Sequence, residues 1–302
     1  MTVASPFDST GAQFAWDSTS IKLAQECLYK YKLKMIDGWQ YPNKSVHLLF
    51  GGWYASALET YHKLRAAGAD FLPAVEQVVH EALIATWDHE TDSPWTSDHS
   101  TKTRDNLIRT IVWYLDQFED DPAKTLILAN GKPAVEFSFS IPVDSGLVFS
   151  GHFDRVVDYS GHNYIQDQKT TGTTLTTRFF DGFSPDTQMS MYTFAGKIAY
   201  SIPVHGVMID AAQIAVGFSR FERGFTFRTE DQLNEWYDDT LASITTARQA
   251  THDQHFPMNP TACGNYGGCE FRGICSKSRK VREQYLAATF VKDKPWNPLE
   301  TR

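Results

Sequence analysis

Two aspartates and a lysine near the middle of the chain have the types and spacing to hold a cation against a phosphate. They lie in Gly151-His152-Phe153-Asp154-Arg155-Val156-Val157-Asp158-Tyr159-Ser160-Gly161-His162-Asn163-Tyr164-Ile165-Gln166-Asp167-Gln168-Lys169. If Ser160-Gly161 form the centre of a tight hairpin turn, Tyr159 faces His162, Arg155 faces Gln166 and Asp154 faces Asp167. Opposed residues have Cβ atoms about 4.5–5.5 Å apart, so the two carboxylates repel unless a cation sits between them. Mg²⁺, a hard ion that takes oxygen ligands, suits such a pair. Lys169, two residues past Asp167, projects from the same face. A carboxylate pair, a metal and an ammonium are the parts of a phosphodiester-hydrolysing site. The metal polarises the phosphate and lowers the pKa of a bound water, and the lysine orients that water or stabilises developing charge. The reading depends on register, because a one-residue slip splits the pair across the sheet. A surface hairpin with solvated Asp and Lys side chains would give the same letters.

The cysteines form the second constellation. Cys263, Cys269 and Cys275 recur at equal spacing, with Gly264, Gly267, Gly268 and Gly273 among them to let the backbone fold tightly. Three thiolates leave one tetrahedral position unfilled, and the one other cysteine in the chain is Cys27. Structural zinc on four thiolates is one reading. Four unrelated buried thiols is another.

The elements that must position these residues fall into an α/β pattern. Residues 1–16 read as a flexible arm. Asp17-Ser18-Thr19-Ser20 offers N-caps for a helix running to about Met35. Further helices follow at about 46–67, 72–87 and 102–118, making 17–121 a helical region. After Pro122 the chain turns to strands at 134–142, 148–159 and 163–169, then a helix at about 185–199. Strands near 207–218 and 224–228 and a helix at 231–250 complete a core over 122–252. Residues 253–302 read as a cysteine-containing segment and tail.

Composition bounds what this can be. With 42% hydrophobic and 21% charged residues among 302, the chain can bury a core, which excludes a disordered or low-complexity scaffold. No apolar run is long enough to span a membrane and the start lacks a signal pattern, so a cytoplasmic protein with no membrane partner is expected. A net charge of −8 argues against non-specific coating of nucleic acid, though not against an enzyme acting on it. Four cysteines are too few for a disulfide scaffold.

The order Gly-x-x-Asp, then hydrophobic-x-Asp-x-Lys-Thr at 165–170, resembles the PD-(D/E)XK nuclease superfamily, in its RecB-like exonuclease branch. The resemblance implies a restriction-endonuclease-like mixed sheet core flanked by helices. It also implies a Mg or Mn ion on Asp154, Asp167 and the Gln168 carbonyl, with Lys169 catalytic. Gln188-Met189-Ser190-Met191-Tyr192 matches the Gln-x-x-x-Tyr helix of that branch, whose glutamine and tyrosine steady the lysine or the DNA backbone. Glu136 matches a recurrent glutamate. Where the family has Gly-x-x-x-His, this chain has Gly51 and then Ala55. Glu59, one turn further along the same face, is the candidate replacement ligand. Cys27 with Cys263, Cys269 and Cys275 resembles the cysteine set of the AddB nucleases and CRISPR-associated RecB-like exonucleases. That resemblance implies a 4Fe–4S cluster stapling the helical N-terminal part to the C-terminus, with structural zinc as the alternative. Lys22, Lys30, Lys32 and Lys34 would then join Arg272, Lys277, Arg279, Lys280 and Arg282 in a basic patch, with Tyr29, Tyr31 and Phe271 stacking on bases. The implied activity is a metal-dependent exonuclease preferring single-stranded DNA or DNA ends. The alternative is a non-catalytic DNA-binding subunit of a recombination or CRISPR-adaptation complex.

Overall fold

The structure, a computed structural model, describes residues 4–199, 202–294 and 296–300. The first three residues of the expected arm and the last two of the expected tail lie outside them. From the N-terminus run β1 (Ala15–Trp16), α1 (Ser18–Glu26), α2 (Leu28–Tyr31), a π-helical turn (Lys32–Ile36) and β2 (Trp39–Gln40). Three long helices follow, α3 (Val46–Ala66), α4 (Phe71–Ala85) and α5 (Arg104–Gln117), with β3 (Trp87–Asp88) and β4 (Ser93–Pro94) before the last. Next come β5 (Lys124–Thr125), β6 (Val135–Pro142), β7 (Val148–Tyr159), β8 (His162–Thr171), α6 (Thr177–Asp181), α7 (Thr187–Ala199), β9 (Val204–Ile214) and β10 (Ser219–Thr226). The chain ends through α8 (Glu230–His252), a 3₁₀ segment (Pro260–Gly267), α9 (Arg272–Cys275), α10 (Arg282–Thr289) and β11 (Val291–Lys292). Among the described residues no helix is long and apolar enough to cross a membrane.

The chain forms two compact units, each drawn from separate stretches, which cuts across the linear division expected from the sequence. The larger unit comprises Lys44–Ser138 and His152–Arg228. Its mixed sheet pairs β7 antiparallel with β8, β8 parallel with β9, and β9 antiparallel with β10. The parallel step requires a crossover, which α6 and α7 supply. On one face α3, α4 and α5 pack around Phe50, Leu58, Leu107, Ile111 and Leu115, all fully buried. Each contributes roughly 1.5–3 kcal/mol by leaving water.

The smaller unit comprises Met1–Asn43, Phe139–Gly151 and Thr229–Thr301. Here the expected flexible arm is tied down. Ala15 and Trp16 are fully buried, β1 pairs parallel with Val148 and Phe149, and the Trp16 ring stacks on Tyr31 at 5.4 Å. Arg248 of α8 adds an ion pair to Asp8 and a hydrogen bond to the Gln13 carbonyl. The single helix expected up to Met35 is interrupted. Asp17 caps α1 through Ser20 N–H at 2.8 Å, but Cys27 adopts extended backbone (φ −165°, ψ 114°) and the helix restarts at Leu28. The last two sheet strands also begin and end earlier than expected. Val216 and Phe218, apolar enough to read as strand, are exposed in the connection between β9 and β10.

Candidate active site

The hairpin that carries the two aspartates turns where its sequence indicates. Ser160 (φ +54°) and Gly161 (φ +79°) are both left-handed, the pattern of the two-residue turn that matches strand twist. Asp158 Oδ1 accepts the Gly161 N–H at 3.2 Å. The ladder runs from Tyr159 opposite His162 to Arg155 opposite Gln166, the register expected from the turn. One step beyond, the Gln168 N–H donates to Asp154 Oδ2 at 2.8 Å, so Asp154 reaches across to the strand of Asp167. Helix α7 comes close to β8 because residue 196 is glycine. A Cβ there would stand 2.7 Å from Val204 Cγ2 and 2.8 Å from Ile165 Cδ1.

That approach brings four expected side chains into one connected array. Lys169 Nζ lies 2.5 Å from Asp167 Oδ2 and donates to Gln188 Oε1 at 3.1 Å. Gln188 Nε2 in turn donates to the Tyr192 hydroxyl at 3.1 Å, and the Tyr192 ring meets Phe153 edge-on. The glutamine thus reads both neighbours with its two ends, which fixes its amide orientation.

The electrostatics of the array are those of crowded acids around one cation. Asp154, partly exposed at the surface yet closely surrounded by protein, has its pKa pushed up to about 7. Burial is the main cause and the Asp167 charge the next, while Lys169 and the Gln168 N–H oppose them. Burial works against the charged form of Lys169, but Asp167 and Asp154 outweigh it and hold its pKa above the usual value. Lys169 therefore stays an ammonium. Burial, then Asp167 and Asp154, keep Tyr192 a neutral phenol.

A third acid belongs here. Glu136 on β6 is buried at 7% exposure, and its charge raises both Asp154 and Tyr192. Its backbone is left-handed (φ +45°), a conformation that costs a non-glycine residue about 1–3 kcal/mol and is tolerated where surroundings over-determine it. The sequence marked Glu136 without a role, and strain of this kind leaves no trace in residue type.

On the other face of the hairpin lies a buried ionic network that sequence reasoning did not find. Arg155 donates to Gln166 Oε1 (3.0 Å), the Ala123 carbonyl (2.6 Å) and Thr125 Oγ1 (2.9 Å), and it pairs with Asp121. Arg223 grips Asp121 with both terminal nitrogens (2.6 and 2.9 Å) and reaches Asp210 at 3.2 Å. Asp210 also accepts from the Tyr114 hydroxyl and from Gln166. The signal available was strand alternation, since Arg155 and Gln166 are the inward neighbours of Asp154 and Asp167. His62 faces Arg155 at 3.3 Å, and burial with that charge holds its pKa well below normal, so it is neutral.

Glu59 behaves otherwise than expected. Its carboxylate forms an ion pair with Lys63 one turn along α3, with the side chain 31% exposed. Helix α3 meets β8 earlier, at Gly51, where a Cβ would lie 3.6 Å from Thr170 Oγ1. Two of the expected stacking rings are core instead: Tyr31 and Phe271 are each 1% exposed. Three of the expected basic residues are neutralised, Lys30 by Glu26, Lys32 by Asp37 and Lys34 by Glu270.

In the smaller unit all four cysteines are free and line one cavity of about 300 Å³, together with Lys30, Phe271 and Arg272. The Asn259 N–H donates to Cys27 Sγ at 3.4 Å, and the Cys269 N–H to the Cys263 carbonyl at 3.0 Å. Burial, with Cys269 and Cys27 nearby, pushes the Cys275 thiol up to about 11, and burial raises Cys269 as well. Lys30 beside Cys269 and Arg282 beside Cys275 oppose these shifts without cancelling them. Among the described residues, no three His, Cys, Asp or Glu side chains are gathered to grip a single ion as they stand.

The sequence over residues 16–276 matches the family model of the PD-(D/E)XK nuclease superfamily. The fold is similar to a crystal structure of a proposed exonuclease from Eubacterium rectale, with TM-score 0.50 and 12% identity, covering 83% of this chain and 86% of that one. At that identity the likeness speaks for the fold alone. No curated protein matches the chain. A family match over most of the length, a mixed sheet flanked by helices, and the aspartates and lysine on its central hairpin agree: the chain belongs to the PD-(D/E)XK nuclease superfamily.

Proposed function

We propose that the protein is a metal-dependent deoxyribonuclease acting as an exonuclease on single-stranded DNA or DNA ends. The observation that carries this reading is the connected array Asp167–Lys169–Gln188–Tyr192 with Asp154 alongside. Two neighbouring carboxylates, one driven to a pKa of about 7, form a donor set that fits a hard divalent cation. Asp154, Asp167 and the Gln168 carbonyl would hold Mg or Mn there. When bound, the ion supplies positive charge against the phosphate oxygens. Lys169, kept cationic, offers N–H donors to the phosphate and holds the attacking water in line. Gln188, held by Tyr192, fixes the lysine rotamer, and the Tyr192 ring is itself held edge-on by Phe153. The preference for single strands rests on the RecB-like resemblance, and that for ends on the same resemblance and on the description of the Eubacterium rectale protein as a proposed exonuclease.

The cysteines are read as ligands of a 4Fe–4S cluster. Thiols spread around a cavity of about 300 Å³, rather than closed on one point, favour a cluster over one zinc ion. Free thiols suit a reducing compartment, the cytoplasm. One observation favours a second reading, a DNA-binding subunit without activity: Ala55 stands where the family carries histidine.

End-labelled single and double strands incubated with Mg or Mn test the nuclease reading. Wild type should shorten the single strand progressively and Asp167→Ala should not. Equal degradation by both would place the activity elsewhere, and binding without degradation by either would favour the second reading. Anaerobic purification should give a brown, iron-containing protein, whereas a colourless one with stoichiometric zinc would replace the cluster by a zinc staple.

A further inference from the structure

We propose that Lys102, beneath the first turns of α3, is the buried half of an anion site that takes a backbone phosphate of the DNA strand. The proposal rests on the nuclease reading and adds where that strand is held. Lys102 is 2% exposed, and its Nζ has no hydrogen-bond partner among the described residues. The ammonium lies over the Phe50 ring, 4.3 Å from its centre. Burial lowers its pKa to about 8 and no acid offsets that. A buried cation left unpaired is costly, and buried charges in proteins are normally matched.

Among the described residues, no carboxylate offsets that charge. Phe50 belongs to the second turn of α3, a helix of 21 residues whose N-terminus carries the positive end of its dipole. Ser45 Oγ caps that end by accepting the His47 N–H at 3.3 Å. His47 and His99 meet edge-on at 4.9 Å. Nδ1 of His99 accepts N–H groups from Thr101 (3.2 Å) and Lys102 (3.1 Å), so its proton sits on Nε2, where it is a donor. Burial, then His99 and Lys102, depress the His47 pKa, so that ring is neutral. A helix N-terminus, an ammonium on a flexible stem and two imidazoles converge, and such a set selects an oxyanion. The position selects the strand. Gly51, next to Phe50, packs at Thr170, the residue after Lys169. About 9 Å of helix separates Ser45 from Gly51, so a phosphate at this end lies a few nucleotides from the carboxylate pair.

Fluorescence anisotropy of a short labelled oligothymidylate in EDTA, over a series of salt concentrations, tests the site without cleavage. Lys102→Met should bind roughly tenfold more weakly, and the slope of log K against log salt should fall by about 0.7, one phosphate contact on a single strand. Lys102→Arg should keep the slope. Should Lys102→Met not fold, His47→Asp, at an exposed position, supplies a competing carboxylate and should weaken binding several-fold. Folded variants with unchanged affinity and slope overturn the proposal. So does a thermal shift from inorganic phosphate in wild type alone with oligonucleotide binding unaffected, which would make this a free-phosphate site. If wild type binds no oligonucleotide in EDTA and degrades none with Mn²⁺, the nuclease reading falls and takes this inference with it; if it degrades the strand with Mn²⁺ but does not bind in EDTA, this inference alone fails. If wild type binds and both variants bind alike, the nuclease reading stands and this inference alone fails.

Discussion

Replacing Asp154 by asparagine should make the metal-free protein more stable while abolishing cleavage. The carboxyl has a pKa of about 7 against an ordinary 3.8, because burial and Asp167 both resist its charge. Between about pH 4 and pH 7 the native state keeps a proton that the unfolded chain has lost, so stability falls as pH rises through that window. Above it the penalty is complete, and below it the penalty is absent. About three pKa units at 1.36 kcal/mol each set a ceiling of about 4 kcal/mol. The carboxyl is partly exposed, so water screens it and about 2 kcal/mol is the working figure. Asparagine keeps the oxygen that accepts the Gln168 N–H and loses only the charge. Urea unfolding in EDTA should therefore favour Asp154→Asn by about 2 kcal/mol near pH 8, with the gap narrowing toward pH 5. Adding Mn²⁺ should stabilise wild type and not the variant. Equal stabilities near pH 8 would refute the claim that two crowded carboxylates await a cation.

Three further outcomes follow from the same geometry. Lys169→Met should abolish cleavage yet bind Mn²⁺ at least as tightly as wild type by calorimetry, because the ammonium beside Asp167 competes with the ion. Tyr192→Phe, which leaves Gln188 Nε2 without its acceptor, should lower the cleavage rate about tenfold at unchanged strand affinity. Arg223→Met strands Asp121 and Asp210 without their shared partner and should lose about 3–5 kcal/mol in urea unfolding.

The hairpin was legible because its turn is local chemistry: Ser160-Gly161 sets the register, and register sets which residues share a face. Gln188 and Tyr192 were legible through the resemblance to the Gln-x-x-x-Tyr helix, whose spacing sets the two one helical turn apart. What stayed hidden depends on contacts between distant residues. Nothing in Leu23-Ala24-Gln25-Glu26-Cys27-Leu28 announces a break, since each residue tolerates a helix and the extended Cys27 is imposed by tertiary structure. Tyr31 and Phe271 looked like stacking rings because an aromatic type does not say which way it faces. Lys102, expected as the first residue of a helix, carries no sign of burial in its sequence, and only the fold sets it against the Phe50 ring. Glu59 was placed one helical turn beyond Ala55, where the resembling family carries histidine, and a partner at the next turn, Lys63, was as close in sequence as the site it was meant to serve.

The ionic network behind the hairpin bears on how the chain avoids wrong folds. A β-hairpin slipped by one residue keeps most of its backbone hydrogen bonds, so backbone energy discriminates poorly between registers. Here a slip would turn Arg155 away from Asp121 and Gln166 away from Asp210, and press aspartates against the apolar layer of α3 and α5. The misaligned state would hold unmatched charge where the aligned state holds a closed circuit of partners. Charge therefore separates the aligned register from the slipped one in energy, where backbone hydrogen bonds alone would not.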